Sequence, residues 1–242
     1  PPNWKPMNVL AVPLLLSALK GKELYDALYT SGYHANTTYS HSRILLRAIE
    51  QDRSVRTVLD FGCSHGYAVE QLWKSGRQAS GYDVSQKAVD IAVATRTEGQ
   101  RCLPAKPCFF SDSTILDTWS HSVHHSGYVD AVLSSDVLEH LEPQDVAAAV
   151  RRLTRMARKK LFLKIATGRE VNKVPLTTLP EQDRPVALHT TVKPLAWWLQ
   201  QFKTYGFRLV RKLGVDSMEL ARGPLKTSVV KPLPVSLLGV PL

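Results

Sequence analysis

The fold is decided by the stretch Thr57-Val58-Leu59-Asp60-Phe61-Gly62-Cys63-Ser64-His65-Gly66-Tyr67. Its first half is almost continuously apolar, with Val58, Leu59 and Phe61, which predicts a strand buried on both faces of a sheet. Its second half is rich in glycine and other small residues, so the backbone of a turn can approach a ligand closely. We therefore expect a ligand-binding turn between the first buried strand and the helix that follows it.

An acidic residue follows this turn at the spacing that nucleotide-binding folds use. The next helix is expected to end near Gly76, and a second strand then runs from Ala79 to Val84 with Asp83 near its end. In βαβ nucleotide sites an acid about 20 residues beyond the turn accepts hydrogen bonds from ribose hydroxyls. Asp83 is therefore the predicted ribose ligand.

The turn does not match the dinucleotide fingerprint G-x-G-x-x-G. Its small residues are Gly62, Ser64 and Gly66, and Tyr67 stands where the third glycine would be. NAD is for this reason the weaker interpretation. With Asp60 ahead of it, the turn instead resembles the first motif of the class I S-adenosylmethionine-dependent methyltransferases.

Two more segments strengthen this resemblance. Asp83 matches the acid that closes the second strand in that family, and Val129 to Leu141 resembles its fourth-strand motif, D-x-V-x-x-x-x-V-L-E-H-L. The similarity covers roughly Ser54 to Arg222. It implies an α/β fold with a doubly wound, seven-stranded, mostly parallel Rossmann-like sheet. It also implies S-adenosylmethionine as the cofactor.

The resemblance further assigns residues to that cofactor. Asp112, at the end of a third strand predicted from Lys106 to Asp112, is expected to contact the adenine amino group; an Asx turn or helix cap is the alternative. Cys63 is interpreted as a small residue of the turn rather than as a reactive thiol. The complete expected set is Asp60, Gly62, Cys63, Ser64, Gly66, Asp83, Val84, Asp112, Ser113 and Ser135.

The candidate catalytic residues are Asp136, Glu139, His140 and His189. Methyl transfer is a displacement at a sulfonium carbon, so positioning matters most and a base is needed only to deprotonate an oxygen or nitrogen acceptor. His140 or His189 is the predicted base. The alternative is that Glu139 and His140 mainly orient the turn from the strand into the next helix.

The same residues bear on the question of a metal. An acid-x-x-Glu-His pattern with a later histidine resembles the metal-binding set of some methyltransferases that act on RNA 3′ ends and on quinone precursors. Because Asp136 stands where that set usually has glutamate, we expect no metal. The histidines at 121, 124 and 125 lack partner ligands at a known spacing, and we interpret them as part of a polar loop.

The chain is strongly basic, with a net charge of +10 and a pI near 9.6. Such an excess indicates RNA or another polyanion as a partner, although solubility alone is the alternative explanation. The cations cluster in two places. The first cluster lies on a helix expected from Pro143 to Ala157 and at its exit, ahead of a strand expected from Leu161 to Ile165, and consists of Arg151, Arg152, Arg155, Arg158, Lys159 and Lys160. The second lies near the C-terminus and consists of Arg208, Arg211 and Lys212.

We expect three regions along the chain. Residues 1–53 form an arm and helices that cover the cofactor and acceptor site, with Tyr29, Tyr33, His34 and Tyr39 as pocket candidates. Residues 54–223 form the methyltransferase domain, in which the insertion 166–190 is interpreted as a substrate lid. Residues 224–242 form a Pro-rich extended tail that docks on the domain or on a partner protein.

The expected location is intracellular. Three cysteines without a metal-binding spacing favour a reducing compartment. The apolar run from Val9 to Leu19 is interrupted by Pro13 and is too short to span a bilayer. Because the chain begins with Pro1, a removed targeting segment stays open, so both cytoplasm and mitochondrion are considered.

Three functional hypotheses follow. The first is an active methyltransferase that modifies an oxygen or nitrogen acceptor, with RNA as the acceptor that the charge favours. The second is a methyltransferase-like RNA or ribosome-assembly factor that docks rather than catalyses. The third is a methyltransferase that acts on a small molecule. Fold alone does not decide between them.

Overall fold

The structure is a computed structural model that describes residues 21–32, 42–116, 128–168 and 188–223. Several predictions fall outside these residues: the pocket candidates Tyr33, His34 and Tyr39, the histidines at 121, 124 and 125, most of the lid, and the tail 224–242. Within the described ranges, no helix has both the length and the apolar character needed to cross a membrane.

Strands and helices alternate along the chain. The helices are α1 (Gly21–Thr30), α2 (Arg43–Gln51), α3 (Tyr67–Lys74), α4 (Gln86–Thr95), α5 (Val146–Met156) and α6 (Leu195–Thr204). The strands are β1 (Thr57–Phe61), β2 (Gln78–Tyr82), β3 (Phe109–Phe110), β4 (Val129–Ser135), β5 (Ala157–Lys164), β6 (Phe207–Lys212) and β7 (Ser217–Arg222).

The strands form one seven-stranded sheet in the order β3-β2-β1-β4-β5-β7-β6. Strands β3, β2, β1, β4 and β5 are parallel to one another, and β7 runs antiparallel to both β5 and β6. This arrangement confirms the predicted doubly wound, mostly parallel sheet. The reversal of strand order beside β1 makes the carboxyl edge of β1 and β4 the place where such sheets bind ligands.

Two apolar cores cover the two faces of the sheet. One core contains Val58 of β1 together with the buried sides of α2, α3 and α4. The other contains Leu59 and Phe61 of the same strand together with the buried sides of α5 and α6. Alternate residues of β1 therefore serve opposite cores, which is why the strand is apolar on both faces.

Two predicted boundaries were wrong. The helix expected from Pro143 to Ala157 begins at Val146 and ends at Met156, and the strand expected to start at Leu161 already starts at Ala157. Strand pairing explains the shift, because Ala157 is in register with Val129 of β4. The cations that follow Ala157 thus lie on a strand rather than at a helix exit.

The third strand is also shorter than predicted. It is reduced to Phe109–Phe110, and a loop in front of it folds back so that Cys102 and Cys108 form a disulfide with Cα atoms 4.8 Å apart. The backbone N–H of Gly81 donates to the carbonyl oxygen of Cys108 at 2.8 Å, which anchors this loop to β2. The spacing of these cysteines in the sequence does not reveal the reversal of the loop, so their pairing was not predicted.

Gly62 occupies a position that tolerates no side chain. Its φ is +87°, and a Cβ atom placed there would lie 2.2 Å from Cγ2 of Val137. Gly76, which ends the segment after α3, has a similar φ of +83° but nothing within 4 Å of a Cβ atom. The pair therefore separates the effect of backbone conformation from the effect of steric contact.

Gly62→Ala should lower the free energy of unfolding by about 2–4 kcal/mol, since left-handed strain and overpacking add together. Gly76→Ala should lower it by only about 1 kcal/mol, because it adds only the strain. Urea unfolding of both variants measures the difference. Equal losses would mean that Val137 moves aside and that the contact is not a constraint.

Candidate active site

The glycine-rich turn is tied to the end of β2. The N–H groups of Gly62 and Cys63 both donate to the carbonyl oxygen of Tyr82, at 2.8 and 2.9 Å. Gly62, Ser64 and Gly66 all have positive φ, of 87°, 49° and 73°, so the chain turns sharply before α3 begins. The carboxyl ends of β1 and β2 consequently meet at one edge of the sheet.

Cys63 is a packing residue of this turn. Its side chain is buried, and it lies against Gly81, where a Cβ atom would be 2.7 Å from the sulfur. Burial, followed by the negative charges of Asp83 and Asp60, raises the pKa of the thiol well above its usual range. A nucleophilic role does not fit these surroundings, because the thiolate is disfavoured.

Asp83 lies at this edge and is held from both sides. Its Oδ2 accepts a hydrogen bond from the N–H of Ser64 at 2.8 Å, and its Oδ1 accepts one from the N–H of Ser85 at 3.0 Å. Each carboxylate oxygen has two lone-pair sites, so capacity for ribose hydroxyls is left. Burial, with a smaller contribution from the charge of Asp26, raises the pKa of Asp83 to about 6.

Asp60 adds a second buried acid. Asp60 is only 4% exposed. This burial, together with the charge of Asp83, raises the pKa of Asp60 to about 7. Two neighbouring buried carboxyls disfavour each other's ionisation. A ligand that carries positive charge would relieve this, and S-adenosylmethionine has both a sulfonium and an ammonium group.

Helix α1 covers this edge. The carboxylate Oδ1 of Asp26 accepts hydrogen bonds from Oγ of Ser85 at 2.6 Å and from the N–H of Lys87 at 3.1 Å, which fastens α1 to the start of α4. Further along, the ring of Tyr29 lies 5.1 Å from that of His65 in the turn. Tyr29 was predicted as a pocket residue; it is buried and packs on the glycine-rich turn.

Glu139 follows β4 and is completely buried. Its Oε1 accepts a hydrogen bond from the N–H of Ala166 at 3.0 Å, whereas its buried Oε2 has no hydrogen-bond partner in the described part of the chain. Burial raises the pKa of Glu139 to about 7. The side chain thus both holds the segment after β5 and offers one unused acceptor.

Two histidines stand beside Glu139. Nδ1 of His140 lies 3.0 Å from the carbonyl oxygen of Leu188, and since a carbonyl only accepts, Nδ1 carries the proton. The rings of His140 and His189 are 4.7 Å apart between centroids and nearly perpendicular. One ligand-type atom from each of Glu139, His140 and His189 lies within 4.8 Å of the others. The structure therefore brings together three of the four predicted catalytic residues.

Asp136, the fourth, is engaged elsewhere. Its Oδ1 forms an ion pair with Nζ of Lys164 at 2.6 Å, and its Oδ2 accepts a hydrogen bond from Oγ of Ser135 at 2.9 Å. Ser135 and Lys164 are neighbours in the register of β4 and β5, which explains the pairing. Its role is to shape the edge near the cluster rather than to join it.

Asp112 takes the alternative role considered above. It is exposed, and its Oδ1 accepts hydrogen bonds from the N–H of Thr114 at 2.8 Å and from its hydroxyl at 2.7 Å, as in an Asx turn. Ser113 is half-buried in the same turn, and Val84 is half-buried just before α4. A contact between Asp112 and adenine stays a prediction.

Two residues on α1, Asp26 and Tyr25, lie at the site without having been predicted there. The ring of Tyr25 lies 6.2 Å from that of His140 and meets it edge to face. The sequence carried a signal for neither, because nothing local to α1 shows that it crosses both α4 and the end of β4. Helix α1 therefore extends from the acids of the turn to the candidate catalytic residue His140.

Comparisons with known proteins show the family to which the chain belongs. Residues 33–212 match the family model described as "Methyltransferase domain". This match spans more than half of the chain, so the chain belongs to that family and is a class I S-adenosylmethionine-dependent methyltransferase. The cofactor is accordingly S-adenosylmethionine.

One curated relative and two solved structures show how far the likeness extends. Over 101 residues the chain is 30% identical to "Ubiquinone biosynthesis O-methyltransferase" of Thiobacillus denitrificans, which covers 41% of this chain and 40% of that protein. Magnesium protoporphyrin IX methyltransferase of Synechocystis with bound S-adenosylmethionine matches at a TM-score of 0.52 and 19% identity, over 84% of this chain and 82% of that one.

The second structure is 1,6-didemethyltoxoflavin-N1-methyltransferase of Burkholderia thailandensis. It matches at a TM-score of 0.55 and 14% identity, over 85% of this chain and 92% of that one. At these identities the two structures show a shared fold. The fold that they share with this chain covers most of the chain. By contrast, this chain spans less than half of the length of the curated relative.

Asp83→Ala should weaken S-adenosylmethionine binding by about tenfold or more, since a hydrogen bond to a charged group contributes about 1.5–3 kcal/mol. Calorimetric titration of the purified chain measures this affinity. Asp90→Ala, which removes an exposed acid on α4, is the matched control and should bind as the parent does. Unchanged affinity in Asp83→Ala would place the ribose elsewhere.

Cofactor affinity should also depend on pH between 5 and 7. Because the pKa values are about 7 for Asp60 and about 6 for Asp83, both acids gain protons as pH falls through this range. Protonation competes with a cationic ligand, so affinity should fall by up to about tenfold per pH unit for each acid. Titrations with the cofactor at several pH values test this. Asp60→Asn should make the affinity independent of pH in the upper part of this range, near pH 7. A flat profile in the parent chain contradicts the proposed compensation of charge.

Proposed function

We propose that this chain transfers the methyl group of S-adenosylmethionine to an oxygen or nitrogen atom of a small molecule. The observation that carries the proposal is the cluster of the buried Glu139 with the half-buried His140 and His189, at the same sheet edge as the acids of the glycine-rich turn. Cofactor-binding and proton-accepting groups thus share one edge of the sheet. Displacement at a sulfonium carbon needs such an alignment of donor and acceptor.

Different residues of the chain bind the cofactor and accept the proton. Asp83 holds the ribose, and Asp60 offsets the positive charge of the cofactor. His140 keeps its proton on Nδ1, facing the carbonyl oxygen of Leu188 at 3.0 Å, so its other nitrogen carries the lone pair that an acceptor proton needs. Removal of that proton as the methyl group arrives makes the acceptor a better nucleophile.

The cover formed by α1 favours a small acceptor. Tyr25 lies beside His140, and Asp26 fastens the same helix to α4. An acceptor must therefore reach the cluster beneath or beside a helix, which suits a small molecule better than a folded RNA. The names of the relatives point the same way, since ubiquinone biosynthesis, protoporphyrin and toxoflavin all concern small molecules.

RNA as the acceptor has weaker support than the net charge indicates. Nζ of Lys159 lies 2.8 Å from Asp130, and Nζ of Lys160 lies 2.6 Å from Glu219. A guanidinium nitrogen of Arg158 is 3.9 Å from Asp130 as well. Cations already paired with carboxylates attract phosphates less. Ribosome assembly, a mitochondrial location and docking through the tail stay predictions.

The acceptor can be identified with S-adenosylmethionine labelled in its methyl group. We expect label in hydroxylated small molecules from a cell extract below about 1 kDa, and none in total RNA. His140→Ala should lower kcat by about 100-fold or more while cofactor affinity stays within twofold, because the base acts on the acceptor.

Lys159→Ala is the matched control for this experiment. It removes a surface cation paired with Asp130, so transfer to a small molecule should not change. Label confined to RNA, with a loss in Lys159→Ala, would establish the RNA hypothesis instead. Absence of transfer to either fraction by a chain that binds the cofactor would favour the docking hypothesis.

A further inference from the structure

We infer that Glu139, His140 and His189 form a binding site for one divalent first-row transition-metal cation, such as Zn²⁺ or Co²⁺. The inference rests on the proposed function only for the role of the ion in catalysis. Ion binding itself depends on three side chains that the fold brings together from the end of β4 and from residue 189. It replaces the expectation of no metal.

The geometry of the cluster is close to that of a metal site. Its three ligand-type atoms, one from each residue, lie within 4.8 Å of one another. Bonds of about 2.0–2.2 Å from zinc to nitrogen or oxygen require ligands roughly 3–3.5 Å apart. Rotations that move each atom inward by about 1 Å are enough to close the site.

Two buried polar atoms of the cluster are available to bind a ligand. Oε2 of Glu139 and Nδ1 of His189 are buried and have no hydrogen-bond partner within the described ranges. Buried polar atoms of folded proteins nearly always have a partner, and each exception requires an explanation. A cation satisfies both atoms at once and also compensates the carboxylate of a completely buried residue.

The surroundings orient the ligands. Nδ1 of His140 faces the carbonyl oxygen of Leu188 at 3.0 Å, and the N–H of Ala166 donates to Oε1 of Glu139 at 3.0 Å. Metal-ligating histidines usually donate their second ring N–H to such a carbonyl, and ligating carboxylates are hydrogen-bonded in turn. Nε2 of His140 and Oε2 of Glu139 are then the atoms that bind the ion.

The ligand types limit which ion fits. Two imidazoles and one carboxylate suit zinc, cobalt, iron or manganese, whereas magnesium and calcium prefer oxygen ligands. Three protein ligands also leave coordination positions for an acceptor oxygen. With an ion bound, Nε2 of His140 would be a ligand and could not also act as the base proposed above. The ion would then serve the same purpose, because an acceptor hydroxyl bound to it would lose its proton to water more easily.

Asp136 is the reason why the sequence predicted no metal site. The expectation of no metal depended on aspartate at the first position of the four-residue pattern. In the structure this aspartate pairs with Lys164 at 2.6 Å, so its identity does not decide whether the other three residues bind an ion. The three-ligand set is complete without it.

The test uses the full chain freed of metal with a chelator, without cofactor and without acceptor. Co²⁺ is titrated while visible absorption is recorded, and Zn²⁺ is titrated by calorimetry. We expect one ion per chain, with d–d bands of the cobalt form that depend on the cluster. Glu139→Gln and His189→Ala should each weaken binding by at least tenfold, since each removes a ligand.

The histidine-rich stretch supplies the matched control. A triple variant with alanine at positions 121, 124 and 125 should bind as the parent does, because it keeps all three of Glu139, His140 and His189. Binding lost only in the triple variant, absence of saturable binding, or binding unchanged in both cluster variants would each overturn the inference. If Glu139→Gln fails to fold, His189→Ala carries the test alone.

A parallel titration separates this inference from the proposed function. S-adenosylmethionine is added to the metal-free chain, and methyl transfer is assayed with and without added metal. Cofactor binding and transfer in a chain that takes up no ion overturn the metal site and leave the function intact. Ion uptake that follows the cluster variants, in a chain without transfer, supports the metal site and overturns the function.

Discussion

The site depends on two amide groups that share one acceptor. The N–H groups of Gly62 and Cys63 both donate to the carbonyl oxygen of Tyr82, which joins the end of β1 to the end of β2. This junction sets Asp60 and Asp83 close enough for the charge of one to raise the pKa of the other. A side chain at Gly62 would strike Val137, so the junction that positions Asp60 and Asp83 is built on a residue that has no side chain.

Glu139 performs the same joining function for the catalytic half of the edge. Its carboxylate accepts from the N–H of Ala166, and its carbonyl oxygen accepts from the N–H of Thr191 at 2.9 Å. Both ends of the insertion 166–190 are thereby fixed at one residue. His189 reaches His140 because of this closure, so the chemistry of the cluster follows from backbone hydrogen bonds rather than from nearness in sequence.

Local patterns were sufficient for the centre of the fold, since the strand, turn and acid that lead to Asp83 lie within one βαβ unit. They failed where a distant segment decides the outcome. Strand β5 begins at Ala157 because β4 pairs with it, and no periodicity in α5 shows this. His189 joins the cluster through Leu188, a contact across 48 residues, and Asp26 fastens α1 across 59 residues to Ser85. Contacts of such separation are properties of the folded chain.

The acids of the chain fall into two groups according to their surroundings. Asp130 forms an ion pair with Lys159. Burial alone would raise the pKa of Asp130, but its hydrogen bonds and the charge of Lys159 hold the pKa below the usual range. Asp60, Asp83 and Glu139 instead have pKa values raised to between about 6 and about 7. Asp60 lies near the end of β1, and the other two follow β2 and β4, so all three belong to the carboxyl edge of the sheet. Acids that only stabilise a fold are normally paired, whereas raised pKa values collect at functional sites. These three carboxyls therefore lack compensating positive charge, which a sulfonium cofactor near Asp60 and Asp83 and a metal cation near Glu139 would supply.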